Sequence, residues 1–285
     1  MAEDQNGAHH DRLGQFTGHA SHDFAGDSLT MTFTAGLIAT SDEDDAAFLA
    51  LDDLVGILTK YDGTAVIGGH MVSLLTATFP AHGLIDRRTG DADAGIPVTL
   101  AASGALHADL LAAGYDAQSG NRYVKAGHED PKPTIDLLIP SLNGQFSDEV
   151  RGERGFNTMP GLTLALGRTL SIAAEATLQD GTTLTIPTKV PTVEGAVILK
   201  SYAYVDRAVE TQKDLIDLSN LFHVLDHHGA EKLGGWRLNE SELTGSRLDT
   251  AKNLTVLATK LESGRIRNPR LNGRRLAFLI RKHVA

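Results

Sequence analysis

The sequence predicts an α+β fold, in which a mixed β-sheet with flanking helices precedes a C-terminal helical bundle. Up to about residue 190, runs with strand-like alternation interleave with runs that have helical apolar spacing. From Pro191 onward only helical spacing recurs, and the 285 residues suffice for two hydrophobic cores. We therefore predict a tail and irregular lead-in over residues 1–40, an α+β domain over 41–190 and a helical domain over 191–285.

The composition narrows the kinds of protein and of metal site. The chain has no cysteine, which excludes disulfides, thiolate metal sites and cysteine nucleophiles, so any metal must bind oxygen or imidazole. No apolar run approaches the roughly 18 to 20 residues of a membrane span, and the N-terminus does not resemble a signal peptide. We therefore expect a cytoplasmic protein with no membrane partner.

Charge is unevenly distributed along the chain. The net charge of -10 disfavours a protein that coats nucleic acid non-specifically, because such binding depends on many cationic contacts to phosphate. After Glu262 the charged residues are all basic: Arg265, Arg267, Arg270, Arg274, Arg275, Arg281 and Lys282. This run predicts either a solvated helix face, which is the simpler interpretation, or a docking surface for a polyanion.

The first predicted elements of the α+β half lead into a glycine turn. A helix is expected to begin at Ser41, whose hydroxyl caps free amides, and to end near Tyr61 to Gly63. A short strand over Thr64 to Ile67 then reaches Gly68-Gly69, and a second helix follows from about His70 to Thr78. A glycine pair at such a turn lets the backbone approach phosphates and aims the amides of the helix start at them, although most glycine pairs are only turns.

The remaining elements follow from shorter patterns. Strands are predicted over Asp91 to Ile96, Asn121 to Ala126, Thr134 to Ile139, Leu162 to Leu166, Leu170 to Leu178 and Thr182 to Ile186, the last two joined by a hairpin turn at Gln179-Asp180-Gly181. Helices are predicted over Thr99 to Ala113 and over about 191–209, 211–228, 247–262 and 271–283.

Three carboxylates occupy strand positions that cores seldom tolerate. Asp91 and Asp93 are two residues apart, so their side chains leave the same face of a strand, and Asp136 interrupts an apolar run. Three converging acids repel one another unless a divalent cation neutralises them, and carboxylate oxygens suit Mg²⁺ or Mn²⁺. Taken alone, an Asp-x-Asp pair is more often a solvated strand edge or another kind of cation site. Together with the glycine turn, the acids predict phosphoryl or nucleotidyl transfer.

Four segments in this order resemble a known family. They are Val66-Ile67-Gly68-Gly69, Arg87-Arg88-Thr89-Gly90-Asp91-Ala92-Asp93, Ile135-Asp136, and a helical part with Leu199-Lys200, Asp206-Arg207 and Lys213-Asp214-Leu215-Ile216-Asp217-Leu218. The set resembles the nucleotidyltransferases of the polymerase-beta-like superfamily, and the second segment is similar to the AbiEii and MenT toxin branch. The resemblance covers roughly residues 50 to 228.

The resemblance implies a nucleotidyltransferase-type mixed sheet and a role for each matched residue. Asp91, Asp93 and Asp136 would hold Mg²⁺ or Mn²⁺ as catalytic metal ligands, with Thr89 beside the metal. Lys200 would contact the NTP phosphates and Asp214 would orient Lys200. Gly68, Gly69, Arg87 and Lys213 would complete the nucleotide-binding site. His70 stands where the family commonly has a small hydroxyl residue.

The resemblance also implies an activity, with two alternatives. The activity is transfer of an NMP from an NTP to a hydroxyl, such as an RNA (tRNA) 3′ end, by the toxin of a toxin–antitoxin system, with a cognate antitoxin as a further candidate partner. One alternative keeps the enzyme but makes the acceptor a protein hydroxyl or a small molecule such as an antibiotic, which the net negative charge favours. The other is a non-catalytic nucleotide-binding module. Singly, Lys200 reads as a lysine that reaches solvent and Asp214 as an acid favoured at a helix start.

Overall fold

Two β-sheets with helices packed around them make up residues 32–118 and 120–285, the residues that this computed structural model describes. The strands are β1 (Thr32–Ile38), β2 (Ala65–Val66), β3 (Ala92–Gly95), β4 (Tyr115–Ala117), β5 (Arg122–Lys125), β6 (Thr134–Pro140), β7 (Asp148–Arg151), β8 (Arg154–Met159), β9 (Thr169–Thr177) and β10 (Thr183–Pro191). The helices are α1 (Asp42–Leu58), α2 (Gly68–Thr78), α3 (Val98–Ser103), α4 (Ala105–Ala112), α5 (Leu162–Leu166), α6 (Val193–Arg207), α7 (Lys213–His228), α8 (Gly245–Glu262) and α9 (Gly273–His283), with a short 3-10 helix at Glu231–Leu233. The predicted α+β class is confirmed.

The larger sheet brings the predicted acidic strands together. Its order is β2-β3-β6-β5-β4, with β8 also paired to β6 and β7 to β8. Strands β3 and β6 are parallel neighbours, and their register places Asp93 opposite Asp136. Along β6, Ile135, Leu137 and Ile139 are fully buried in the core, so Asp136 lies on the opposite face of the strand.

The glycine turn forms as the sequence predicts, with shifted limits. Helix α1 begins after Ser41, whose hydroxyl accepts a hydrogen bond from the Asp44 amide. Strand β2 has only two residues, and α2 begins at Gly68 rather than near His70. The two glycines are therefore the first residues of a helix, and the amides of its first turn lie at the edge of the sheet.

Two predicted elements of the α+β half are wrong. The single helix expected over Thr99 to Ala113 is broken at Gly104, which has φ 70°, and becomes α3 and α4. The strand expected over Leu162 to Leu166 is the helix α5, where Leu162 and Ala165 are buried at helical spacing. Five apolar residues are too few for periodicity to separate a strand from a helix, and packing decided the outcome.

Four strands, β1, β4, β7 and β8, were not predicted from the sequence. The predicted lead-in over residues 1–40 contains β1, which pairs in parallel with β9 in a three-stranded sheet completed by β10. Residues 1–31 of that predicted tail lie outside the described residues. The short strands β4, β7 and β8 were not predicted, because β7 and β8 carry charged residues and turn at Gly152 rather than showing apolar alternation.

The four C-terminal helices follow the predicted limits within a few residues, as α6 to α9 show. Helix α6 is buried over most of its length and packs against α5, α7 and α8. Residues 32–285 form one compact unit, and the predicted boundary near residue 190 falls at the end of β10. Among the residues that the structure describes, no helix has both the length and the apolar character needed to cross a membrane.

Candidate active site

A cleft of about 670 Å³ opens where the larger sheet meets α6 and α7. It contains nearly all the residues that the sequence analysis singled out. Lining residues from that set are Gly68, Gly69, Arg87, Thr89, Asp91, Asp93, Asp136, Lys200 and Lys213. Segments up to about 150 residues apart in sequence therefore form one surface, which sequence spacing alone does not dictate.

The three strand acids form one cluster in this cleft. Oxygen atoms of Asp91, Asp93 and Asp136 lie within 4.8 Å of one another, and each side chain is half-buried. Asp91 immediately precedes β3, so its side chain leaves the same face as that of Asp93, and the β3–β6 register adds Asp136. The predicted convergence of the three acids is what the structure shows, and in size and ligand type the cluster suits divalent cations that prefer oxygen.

Burial raises the pKa of two acids of the cluster, Asp93 and Asp136. Desolvation, followed by the charges of Asp91 and Asp136, raises the pKa of Asp93 to about 7. Desolvation also raises the pKa of Asp136, although the guanidinium of Arg122 opposes this shift. Arg122 Nη2 lies 3.4 Å from Asp136 Oδ2 and 3.6 Å from Asp91 Oδ2, so it neutralises the cluster only in part.

The glycine pair lies directly against the acids and the segment before them. A Cβ atom added at Gly68, which has φ 65°, would lie 1.8 Å from Asp93 Oδ2. At Gly69 it would lie 2.3 Å from Arg87 Nη1 and 2.5 Å from the Thr89 hydroxyl oxygen. Only glycine therefore fits at this approach, and it places the start of α2 beside the acid cluster.

Thr89 and Arg87 link the acid cluster to the helical half. The Thr89 hydroxyl donates a hydrogen bond to Asp91 Oδ1 (3.0 Å) and so orients that carboxylate. Arg87 Nε lies 3.3 Å from Asp217 Oδ1 on α7. The segment from Arg87 to Asp91 thus connects a buried acid of α7 to the first acid of the cluster.

Lys200 lies at the centre of a buried ion network. Its Nζ is 2.7 Å from Asp217 Oδ2 and 3.2 Å from Asp214 Oδ1, and the residue is only 2% exposed. Arg207 donates two hydrogen bonds to Asp214, at 2.6 and 2.9 Å. Burial alone would raise the pKa of Asp214, but the bonds from Arg207 and the charge of Lys200 outweigh it and hold that pKa below its usual range. The simpler interpretation of Lys200 as a lysine that reaches bulk solvent does not fit this burial.

His70 and Lys213 lie on different sides of the site. Lys213 is the first residue of α7 and lines the cleft. His70 lines a neighbouring cavity of about 480 Å³, and burial lowers its pKa to about 4, so its imidazole is neutral near pH 7. His70 is therefore buried and does not line the acidic cleft.

Three residues that line the cleft, and Asp217 beside it, have no individual role predicted from sequence. Arg207 and Asp217 belong to the segments that carry the resemblance, and in the structure Asp217 is buried whereas Arg207 is exposed. Arg122 lies on β5 directly opposite Asp136, a relation that needs the strand register. Phe146, in the loop between β6 and β7, carries no local signal because its role depends on where that loop lies.

The arrangement combines an oxygen-ligand cluster, a helix start and a set of cations in one cleft. Asp91, Asp93 and Asp136 are the residues that fit a divalent cation by chemistry, since their excess negative charge has no sufficient partner within the described residues. Comparisons of the chain with protein-family models, with curated proteins and with solved structures found no match.

Proposed function

We propose that this protein is a metal-dependent nucleotidyltransferase that moves an NMP from an NTP to a hydroxyl acceptor. The single observation that supports this most is the cluster of Asp91, Asp93 and Asp136 within 4.8 Å, directly beside the Gly68-Gly69 helix start. A cluster of half-buried acids destabilises the folded protein, and binding of a cationic ligand accounts for its presence. The resemblance of the matched segments to AbiEii and MenT toxins supports the same activity.

Each part of the cleft has a task in this reaction. Mg²⁺ or Mn²⁺ held by the three acids would neutralise phosphate charge and make the acceptor hydroxyl more acidic. The amides at the start of α2 approach the phosphates of the NTP, which Arg87 and Lys200 help to neutralise. Asp136 would accept the proton of the acceptor hydroxyl or position that hydroxyl, because it lies on the strand next to the paired acids.

The acceptor that we propose is an RNA 3′ end, such as that of a tRNA, with the protein acting as a toxin controlled by an antitoxin. This part rests on the resemblance, with Arg122 and Lys213 as cations on the cleft wall that suit an anionic acceptor. A protein hydroxyl or a cationic small molecule is the alternative acceptor, favoured by the net charge of -10.

The direct test is transfer of label from α-phosphate-labelled NTPs to total RNA in the presence of Mg²⁺. We expect labelled RNA with the wild-type protein and a decrease of about 10³-fold with Asp93→Asn, because the cation ligand set loses a charge without a change in shape. Asp116→Asn is the matched control, since Asp116 is an exposed acid on β4 of the same sheet. Induced expression of the same three proteins shows whether growth arrest follows transfer activity.

Other outcomes separate the alternatives. Label that persists in RNA with Asp93→Asn would contradict the catalytic assignment. Label that enters protein or an aminoglycoside instead of RNA would identify the other acceptors. Mg²⁺-dependent NTP binding without transfer to any of them would indicate a nucleotide-binding module.

A further inference from the structure

A second cavity of about 560 Å³ adjoins the acidic cleft and shares two of its lining residues, Phe146 and Asp206. Its remaining walls come largely from α6 and α8, including Tyr202, Asp249 and Lys252. None of these last three residues lines the acidic cleft. The two spaces therefore adjoin but differ in lining, which suits two ligands that react with each other.

The loop that lines this cavity follows β6, which in the sheet order is the acid-bearing strand farther from the glycine turn. The order across the sheet is the Gly68 turn after β2, then Asp93 on β3, then Asp136 on β6. Leu138 continues the same face of β6 along the cleft wall, and the loop that follows β6 carries Phe146. In an in-line displacement the attacking and leaving oxygens lie on opposite sides of the phosphorus. With pyrophosphate at the glycine turn, the acceptor approaches from the Phe146 side.

Phe146 is held in place at the boundary of the two spaces. The Ser141 hydroxyl donates to the Gln145 carbonyl oxygen (2.6 Å), and the Thr158 hydroxyl donates to the same oxygen (3.1 Å). These bonds fix the loop residue directly before Phe146. The ring is nevertheless 36% exposed, an open aromatic surface beside a reactive centre.

Helices α6 and α8 supply polar groups to the same cavity. The Tyr202 hydroxyl donates a hydrogen bond to Asp249 Oδ2 (3.0 Å), which ties α6 to α8. Lys252 and Asn253 follow on the same helix and line the cavity with an ammonium and an amide. An aromatic surface in one cavity with amide, carboxylate and ammonium groups matches a nucleobase with its hydrogen-bonding edge and its phosphate.

We propose that this cavity binds the 3′-terminal nucleoside of a single-stranded acceptor, with its base stacked on Phe146 and its phosphate near Lys252. The proposal rests on the nucleotidyltransferase function. The terminal hydroxyl oxygen bonds to the α-phosphorus, the bond from that phosphorus to the β-phosphate bridge breaks, and pyrophosphate leaves with the electron pair. The hydroxyl proton goes to Asp136. A volume of about 560 Å³ is large enough for one nucleotide.

Binding of a short fluorescent RNA with a 3′-deoxy end, together with a non-hydrolysable NTP analogue and Mg²⁺, tests the site without turnover. We expect Phe146→Ala to weaken RNA binding about tenfold, Phe146→Trp to retain it, and neither to change binding of the analogue. Phe278→Ala is the matched control, because Phe278 is an exposed aromatic residue on α9 that does not line this cavity. Lys252→Ala should lower the salt dependence of RNA binding, whereas Lys260→Ala, an exposed lysine further along α8, should not.

The results distinguish this site from the proposed function. RNA binding that depends on Phe146 without any transfer of label would support the site and contradict the function. If the wild-type protein transfers label to RNA but Phe146→Ala binds RNA as tightly as wild type, the function is supported and the site is overturned. The site is also overturned if Phe146→Ala weakens binding of the NTP analogue as much as binding of the RNA. Two other results would overturn it: duplex ends that compete as well as single-stranded RNA, or modification of a protein hydroxyl alone.

Discussion

Two groups of acids, one lining the cleft and one buried beside it, are balanced by positive charge to very different extents. Asp91, Asp93 and Asp136 lie on or next to strands, and among the described residues their only ion pairs are those of Asp91 and Asp136 with the half-exposed Arg122. Asp214 and Asp217 come from α7 and are enclosed by three cations, Lys200, Arg207 and Arg87. The pKa of Asp93 is raised to about 7, whereas the pKa of Asp214 is lowered.

The difference indicates what each group does. The acids of α7 hold α6, α7 and the Arg87 segment together, and their charge is neutralised within the protein. The strand acids destabilise the fold by mutual repulsion and retain charge for a ligand. Acids that are both buried and uncompensated are therefore the better marker of a metal site than acids that are merely clustered.

Lys200→Met should produce the largest change in stability. The substitution keeps the volume but leaves Asp214 and Asp217 buried without their shared cation, so we expect a loss of about 3–5 kcal/mol in the free energy of unfolding. Urea denaturation measures this loss. Lys260→Met, at an exposed lysine on α8, should change stability by less than about 0.5 kcal/mol. Equal stabilities of the two variants would show that the α7 acids do not depend on Lys200.

The stability contributed by the strand acids should fall as the pH rises and recover when Mg²⁺ is added. Because the pKa of Asp93 is about 7 in the folded protein and ordinarily 3.8, its contribution to stability is complete below about pH 4 and is lost as the pH rises through 7. Without metal, we expect this carboxyl to lower the unfolding free energy by about 1–3 kcal/mol between pH 4 and 8, since water in the open cleft reduces the full shift.

Mg²⁺ should reverse this loss, because it binds the deprotonated acids. Thermal unfolding should show a larger increase in Tm on addition of Mg²⁺ at pH 8 than at pH 5. Asp93→Asn should remove both the pH dependence due to this carboxyl and most of the Mg²⁺ effect, and Asp116→Asn should behave as wild type. An equal increase in Tm for wild type and Asp93→Asn would place the cation elsewhere.

Gly69→Ala should affect the nucleotide more than the fold. The added methyl would lie 2.3 Å from Arg87 Nη1 and 2.5 Å from the Thr89 hydroxyl, which must move away from Asp91. We expect the KM for the NTP to rise about tenfold and stability to fall by about 1–3 kcal/mol. Gly56→Ala is the control, because Gly56 lies in α1 with no atom within 4 Å of its added methyl, so it should stabilise the protein by about 0.5–1 kcal/mol.

The sequence predicted the parts of this site that depend on local pattern. The cap at Ser41, the glycine turn and the strand acids all follow from residue type and spacing within a few positions, and the structure has them there. Helices α6 to α9 were predicted for the same reason, since their apolar spacing extends over several turns.

What the sequence did not predict depends on pairing between distant segments. Strand β1 lies in the segment predicted as an irregular lead-in. It was not predicted because it is stabilised by pairing with β9, more than 130 residues later. Arg122 is beside Asp136 only through the β5–β6 register, and Phe146 reaches the cleft only through the path of its loop. Tertiary packing also turned the Leu162 segment into a helix.

The smallest effect is expected at the basic C-terminal run, which the sequence left open as a solvated face or a docking surface for a polyanion. In the structure Arg281 donates to Glu262, an exposed pair in which both side chains remain in water. Exposed ion pairs of this kind contribute at most about 1 kcal/mol to stability, whereas breaking the enclosed pairs of Lys200 is expected to cost about 3–5 kcal/mol. Arg281→Ala should therefore change urea stability by less than about 1 kcal/mol and leave RNA binding unchanged, as measured by the anisotropy of a labelled RNA. A decrease in RNA affinity of tenfold or more would show instead that this helix face binds a polyanion. Arg281 would then pair with Glu262 only when RNA is absent.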